Sequence, residues 1–288
     1  MKEKIAYIAD SCADLPKEIQ EREDVFLMPM MVNCQDKEYR DGVDITAETV
    51  YEEQKNGRLP KTSLPVGEIV ENVLKEVIEK GYKKAVVLTI SSAISGTWNM
   101  CRLLCEECEE LDCIVFDSKM ASLAEGAVLI ELIDEVDREE LSWEQIPARL
   151  EELKKNTKPF FGIDTLEFLE KNGRIGKATA LVGNLLNLMP ILSFDEDGVI
   201  ESVEKVRGKK QRLQHLKANA LAVIQKAKRY RLYFVEGGCP EMVEKLKNEI
   251  LAEVPELPSI HISSLGCALA VHLGKNLIGV CVQVIEEA

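Results

Sequence analysis

Three short segments concentrate hydroxyls where a ligand could be held: Asp10-Ser11-Cys12-Ala13-Asp14-Leu15-Pro16, Thr62-Ser63-Leu64-Pro65 and Ser91-Ser92-Ala93-Ile94-Ser95-Gly96-Thr97. The first and third follow apolar runs at 5–9 and 85–90, and all three lead into stretches with helical spacing. A strand that ends in a small polar turn and then opens a helix directs N–H groups and hydroxyls outward, which suits an anion. One such turn is an ordinary N-cap. Three together predict a polar pocket for an anionic head group. Thr62 and Ser63 can cap the following helix or contact a ligand oxygen. In the third turn Ser91, Ser92, Ser95 and Thr97 fall within seven residues, and Gly96 permits close approach of a ligand or backbone.

Other chemistry is less well supplied. A serine nucleophile on a Gly-x-Ser-x-Gly elbow is not formed, because Ser95 has Gly96 after it but Ala93 two residues before. Of the three histidines, His215 lies in a basic helix and reads as solvated, and His261 sits inside a short strand. His272 lies in an apolar stretch that fits a core histidine. Gly274 and the polar Lys275-Asn276 beside it also fit a pocket edge. Arg174 follows the helix-ending Asn172-Gly173 and can grip a carboxylate or phosphate with two N–H groups, or tie the turn to a carbonyl. Residues 205–217, which include Arg207, hold six Lys/Arg and no Asp/Glu. That is a solvated face or a docking site for an acidic or phosphate-bearing partner. There is no Gly-x-x-x-x-Gly-Lys-Ser/Thr phosphate loop.

A formal net charge of −14 argues against broad nucleic-acid or anionic-membrane binding. No apolar run approaches the ~18 residues of a membrane span, and the N-terminus has no leader-like apolar segment, so a cytoplasmic protein is expected. Nine cysteines are present, an odd number. Cys101, Cys105 and Cys108 follow i, i+4, i+7 spacing with no nearby histidine, which predicts a buried helix face rather than a metal site. No metal and no cofactor are expected.

The elements that must position these groups follow from hydropathy. Strands are predicted near 4–9, 25–32, 84–90, 113–116, 159–163, 190–194, 199–206, 231–235, 259–262 and 277–284. Helices are predicted at 66–80, 96–111, 123–136, 143–155, 166–172, 212–227 and 241–254. Runs of Val and Ile without alternation fit a sheet covered on both faces. Alternation of strand and helix gives an α/β protein with parallel strands. The charged helix at 143–155 places a boundary there: an N-terminal α/β domain, 1–155, with a mostly parallel doubly wound sheet, and a C-terminal α/β domain, 156–288. Asp195-Glu196-Asp197-Gly198 between two apolar runs is a hairpin signal, so the second sheet is expected to be mixed.

Taken in order, these segments resemble the DegV family of fatty-acid-binding proteins over nearly the whole chain. The markers are the 10–16 turn, Asp41-Gly42-Val43-Asp44-Ile45, Thr62-Ser63, Ser91-Ser92-x-x-Ser95-Gly96-Thr97 and Phe116-Asp117-Ser118. In the second half they are Leu166-x-x-Leu169 with Gly173-Arg174-Ile175, Met189-Pro190-Ile191-Leu192, Val206-Arg207-Gly208-Lys209-Lys210 and His272-Leu273-Gly274. The resemblance implies two α/β domains with a long-chain fatty acid between them. It implies that Thr62, Ser63, Ser92, Ser95 and Gly96 meet the carboxylate, with His272 and Gly274 nearby. Some bacterial relatives present the acid to a separate ATP-dependent kinase subunit. Arg174 and Arg207 match positions that could face such a partner. The implied role is a non-catalytic lipid carrier. The alternative is a phosphoryl-transfer or ketone-binding enzyme of related architecture, in which His272 would make a covalent or acid/base contact.

Overall fold

The computed structural model describes residues 4–181, 188–254 and 257–288. Two sheets and a buried helix between them organise the chain. The first sheet is all parallel, in the order β2 (Val25–Met28), β1 (Ile5–Asp10), β6 (Lys84–Thr89), β7 (Asp112–Asp117). The second is mixed: β10 (Ile200–Glu204), β9 (Ile191–Phe194), β8 (Thr157–Gly162), β13 (Ile278–Glu287), β11 (Ala227–Glu236), β12 (Ser259–Ser264). A small antiparallel sheet joins β4 (Lys37–Arg40), β3 (Met31–Cys34) and β5 (Lys61–Ser63). The helices are α1 (Lys17–Gln20), α2 (Ala47–Lys55), α3 (Gly67–Glu79), α4 (Thr97–Glu106), α5 (Leu123–Asp137), α6 (Ile146–Asn156), α7 (Glu167–Lys171), α8 (Lys209–Ile224), α9 (Pro240–Leu251) and α10 (Cys267–Leu273).

Side-chain alternation along the strands divides the interior into three cores. Ala6, Ile8, Ala85 and Val87 face outward onto α3 and α4, where Val70, Leu74, Cys101 and Cys105 meet them. Leu232, Phe234, Val280 and Val282 face the other outside, under α8 and α9. Between the sheets, Tyr7, Ala9, Val86 and Leu88 on one side and Phe161, Tyr233, Val235 and Cys281 on the other enclose α5. That position explains its sequence. A helix covered on every side is apolar nearly all round, and Leu123 to Ile133 is buried throughout.

Several expectations change in the folded chain. The predicted strand at 25–32 is two strands in two sheets, broken at Pro29, which has no N–H to donate to a continuing ladder. Thr62 and Ser63 form part of edge strand β5, paired with Val32 and Met31, and do not cap α3. The N-cap of that helix is Val66, without a side-chain bond. The basic run loses Arg212, which is fully buried under the second sheet with Nη1 2.8 Å from Asp164 Oδ1. His215 is half-buried and paired with Glu204 rather than solvated. The 195–198 hairpin forms between β9 and β10 with Gly198 at φ +81°. A Cβ there would lie 2.1 Å from Ser91 Oγ, which donates to the Gly198 carbonyl, so this turn locks onto the third hydroxyl segment.

Candidate functional site

A cavity of about 220 Å³ opens between the two sheets beside α5, and its wall is largely apolar. Its polar groups gather at one end. Thr62 reaches it from β5, His272 from α10, Ser95 from the turn before α4, and Ser122 from the residue before α5. Thr62 Oγ1 lies 2.8 Å from His272 Nε2, while His272 Nδ1 is buried with no partner among the described residues. Burial, and secondarily the Arg174 charge, holds His272 down to about 4, so the imidazole is neutral at pH 7. Ser63 borders the same cavity. Arg174, exposed, also lines it. Its Nη1 donates to the Asn172 carbonyl and its Nε lies 3.4 Å from the Ile94 carbonyl, which puts the guanidinium at the mouth beside the third hydroxyl turn.

Four sequence candidates stand back from the wall. Ser92 is turned toward Lys119, whose Nζ donates to its hydroxyl at 2.9 Å, while its N–H goes to Asp117. Gly96 ends the turn before α4, where an added Cβ would touch Leu64 at 3.4 Å. Gly274 closes α10 at φ +70°, and a Cβ there would lie 2.7 Å from the Phe168 ring, so glycine is needed to seat α7 against α10. Arg207 is exposed after β10 and its N–H reaches Gln211 Oε1 at 3.4 Å.

Buried carboxylates hold the polar end in place. Asp10 accepts from the Cys12 and Ile90 N–H groups at 3.0 and 2.8 Å, tying the first hydroxyl turn to the third. Asp14 accepts from the Gly266 N–H at 2.8 Å and from Ser122. Asp41 accepts from the Ser11 hydroxyl and the Cys267 N–H, both at 2.8 Å, and so anchors the start of α10. Burial pushes Asp10 up to about 7 despite its two N–H bonds, and pushes Asp14 and Glu125 well above the carboxylate range. Glu125, on α5, is fully buried and neither of its oxygens has a partner among the described residues.

Sequence reasoning missed Ser122, whose one signal is its place after the Phe116-Asp117-Ser118 marker. It also missed the apolar wall from the second sheet, whose residues, from Pro159 to Cys281, are distant in sequence from Thr62 and Ser95 and share the cavity with them only through the fold. Among the described residues, no helix is long and apolar enough to cross a membrane. All nine cysteines are free.

The model of the DegV family, described as "Uncharacterised protein, DegV family", matches residues 4–284. A DegV domain-containing protein of Clostridium acetobutylicum is 36% identical over 281 residues, covering 96% of this chain and 98% of its own length. A solved structure of a DegV family protein from Thermus thermophilus, described by its fatty acid binding, superposes with a TM-score of 0.92 at 31% identity over 98% of this chain and all of its own. Bacillus subtilis DegV, described as a fatty acid binding protein, gives a TM-score of 0.88 at 29% identity over 98% of this chain and all of its own. With the family match spanning almost every residue and the sheets, central helix and cavity described above, the chain belongs to the DegV family.

Proposed function

We propose that the cavity holds a long-chain fatty acid, with its carboxylate at Thr62, Ser63, Ser95 and His272 and its tail along the second sheet. The observation that carries this reading is one mainly apolar cavity with a single polar end. Burial of each CH₂ contributes about 0.8 kcal/mol, so a long tail supplies strong attraction. The carboxylate, in turn, must be hydrogen-bonded, since an unpaired charge in such a place is very unfavourable. If His272 Nε2–H donates to Thr62 Oγ1, the Thr62 hydroxyl is free to donate to the acid, and Arg174 at the mouth supplies positive charge. The chain acts as a carrier without catalysis of its own. The relatives from Thermus and Bacillus, described as fatty-acid-binding, support the assignment.

We further propose that the carrier presents its acid to a separate ATP-dependent kinase. Exposed Arg207, Lys209 and Lys210 stand out on a chain of net charge −14 and offer such a partner a basic docking face.

Native mass spectrometry of the purified chain, followed by lipid extraction, tests the ligand assignment. A bound mass that extracts as free fatty acid is expected. A chain that is empty, and stays empty after incubation with palmitate and oleate, overturns it.

A further inference from the structure

The cavity wall on the second sheet reads as successive rows across β8, β13 and β11. One row is Phe161, Gly279 and Val235; the next, farther from α10, is Pro159, Cys281 and Tyr233. All six residues line the cavity. The central strand carries the smallest side chains of each row. At Gly279 the Val235 side chain leans over the strand, with Cγ1 2.4 Å from the place a Cβ would take. The lining along β13 runs from Leu273 and Leu277, next to His272, to Cys281, about 14 Å of strand beyond Leu277 at ~3.4 Å per residue.

The third row is Thr157, Gln283 and Arg231, and none of these lines the cavity. Gln283 is fully buried. It accepts from Tyr233 Oη at 2.9 Å and donates through Nε2 to the Ala127 carbonyl of α5 at 3.1 Å and to Thr157 Oγ1 at 3.2 Å. Thr157 Oγ1 donates to the Leu153 carbonyl at 2.7 Å. Every polar hydrogen of Tyr233, Gln283 and Thr157 is therefore committed. Arg231, on the same row, is held by Glu131 and Asp134. His261 lies behind Tyr233, stacked on its ring at 5.2 Å, and does not reach the cavity.

We infer that the Tyr233–Gln283–Thr157 network is the closed far end of the cavity, so that the ligand is a monocarboxylic acid with a hydrocarbon terminus whose length is bounded at Cys281. This rests on the fatty-acid reading of the site and adds what the far end accepts. A second carboxylate arriving there would need donors, and the donors are all in use. Burying it unpaired would be costly.

The test is competition against a fluorescent fatty acid on the unaltered chain, using saturated acids from dodecanoic to eicosanoic together with hexadecanedioic acid. Hexadecanedioic acid is expected to bind at least roughly tenfold more weakly than hexadecanoic acid. Cys281→Leu is expected to shift the preferred length to a shorter acid, whereas Thr62→Val weakens all lengths alike. Equal affinity for the mono- and dicarboxylic acids overturns the inference while leaving the fatty-acid reading standing, as does an unchanged preferred length in folded Cys281→Leu. Failure of every monocarboxylic acid to bind overturns that reading and this inference together.

Discussion

The hydroxyl of Thr62 and Nε2 of His272 lie 2.8 Å apart, joining edge strand β5 to helix α10 at the polar end of the cavity. Both belong to elements that the small sheet and the Asp41 anchor hold against each other, since Asp41 fixes the N–H of Cys267 at the start of α10. Thr62→Val keeps the shape of the residue and removes only the hydroxyl. It leaves Nε2 without its partner and takes one donor from the carboxylate. Affinity for a long-chain acid should fall by about 1–3 kcal/mol, roughly 5- to 150-fold, with the fold retained. Titration with a fluorescent fatty acid reads this directly. Unchanged affinity would remove Thr62 from the head-group site.

Arg174 acts on His272 from the cavity mouth. Burial is the larger cause of the low imidazole value and the Arg174 charge the second. Arg174→Met should therefore raise the His272 pKa from about 4 toward, without reaching, its ordinary 6.5 in the empty protein. A bound carboxylate should raise it as well, because a nearby negative charge favours the imidazolium. Proton NMR of the histidine ring hydrogens across pH 3 to 8 follows both shifts. If Arg174→Met leaves the His272 titration where it was, the guanidinium does not face the site.

How much of this was legible in the sequence depended on how local each signal was. The 195–198 hairpin could be read because a turn is encoded within a few residues, and Gly198 does adopt positive φ. Cys101 and Cys105 could be read as a buried helix face for the same reason. Thr62 and Ser63 were recognisable by type but not by conformation. A three-residue edge strand exists only because β3 pairs with it, and that partner is distant in sequence. Cys281, Tyr233 and Gln283 were not legible at all. Their shared surface is created by register between β8, β13 and β11, which no local pattern reports.

Arg212 shows the same limit from another side. By sequence it belongs with Arg207 to one basic run, yet one is fully buried and the other exposed. Arg212 Nη1 holds Asp164 at 2.8 Å, and Asp164 also accepts from Asn276, just ahead of β13. Arg212→Ala should destabilise the chain by about 2–5 kcal/mol, because it leaves a cavity where a fully buried side chain stood and removes one of the two cations that meet Asp164, the other being Lys209. Arg207→Glu should leave thermal stability within about 0.5 kcal/mol of the parent, as exposed substitutions do. If the proposed kinase docks on this face, Arg207→Glu abolishes partner-dependent phosphorylation while sparing lipid binding. Normal phosphorylation in that variant would refute the docking proposal, and a large loss of stability would show that Arg207 has a structural role.

Glu125 makes stability depend on pH in a direction that can be worked out. Its carboxyl is buried on α5 with Asp10, Asp14 and Asp117 as the charges acting on it, and burial raises its pKa well above 4.5. A group whose folded value is raised contributes stability that is fully present below its unfolded pKa and lost as pH rises toward the folded one. Between those limits the folded chain keeps a proton that the unfolded chain releases, which costs about 1.4 kcal/mol per pH unit. Asp10, raised to about 7, works in the same sense. His272, lowered to about 4, works in the opposite sense between 6.5 and 4. Comparing Glu125→Gln with the parent isolates the one group, because Gln keeps the shape and cannot titrate. The amide adds its own unpaired polar atoms, a cost that does not vary with pH. The stability of Glu125→Gln relative to the parent should therefore climb steadily from pH 5 to pH 8, measured by thermal melts at each pH. A difference that stays flat across that range would mean that Glu125 titrates alike in the folded and unfolded chains.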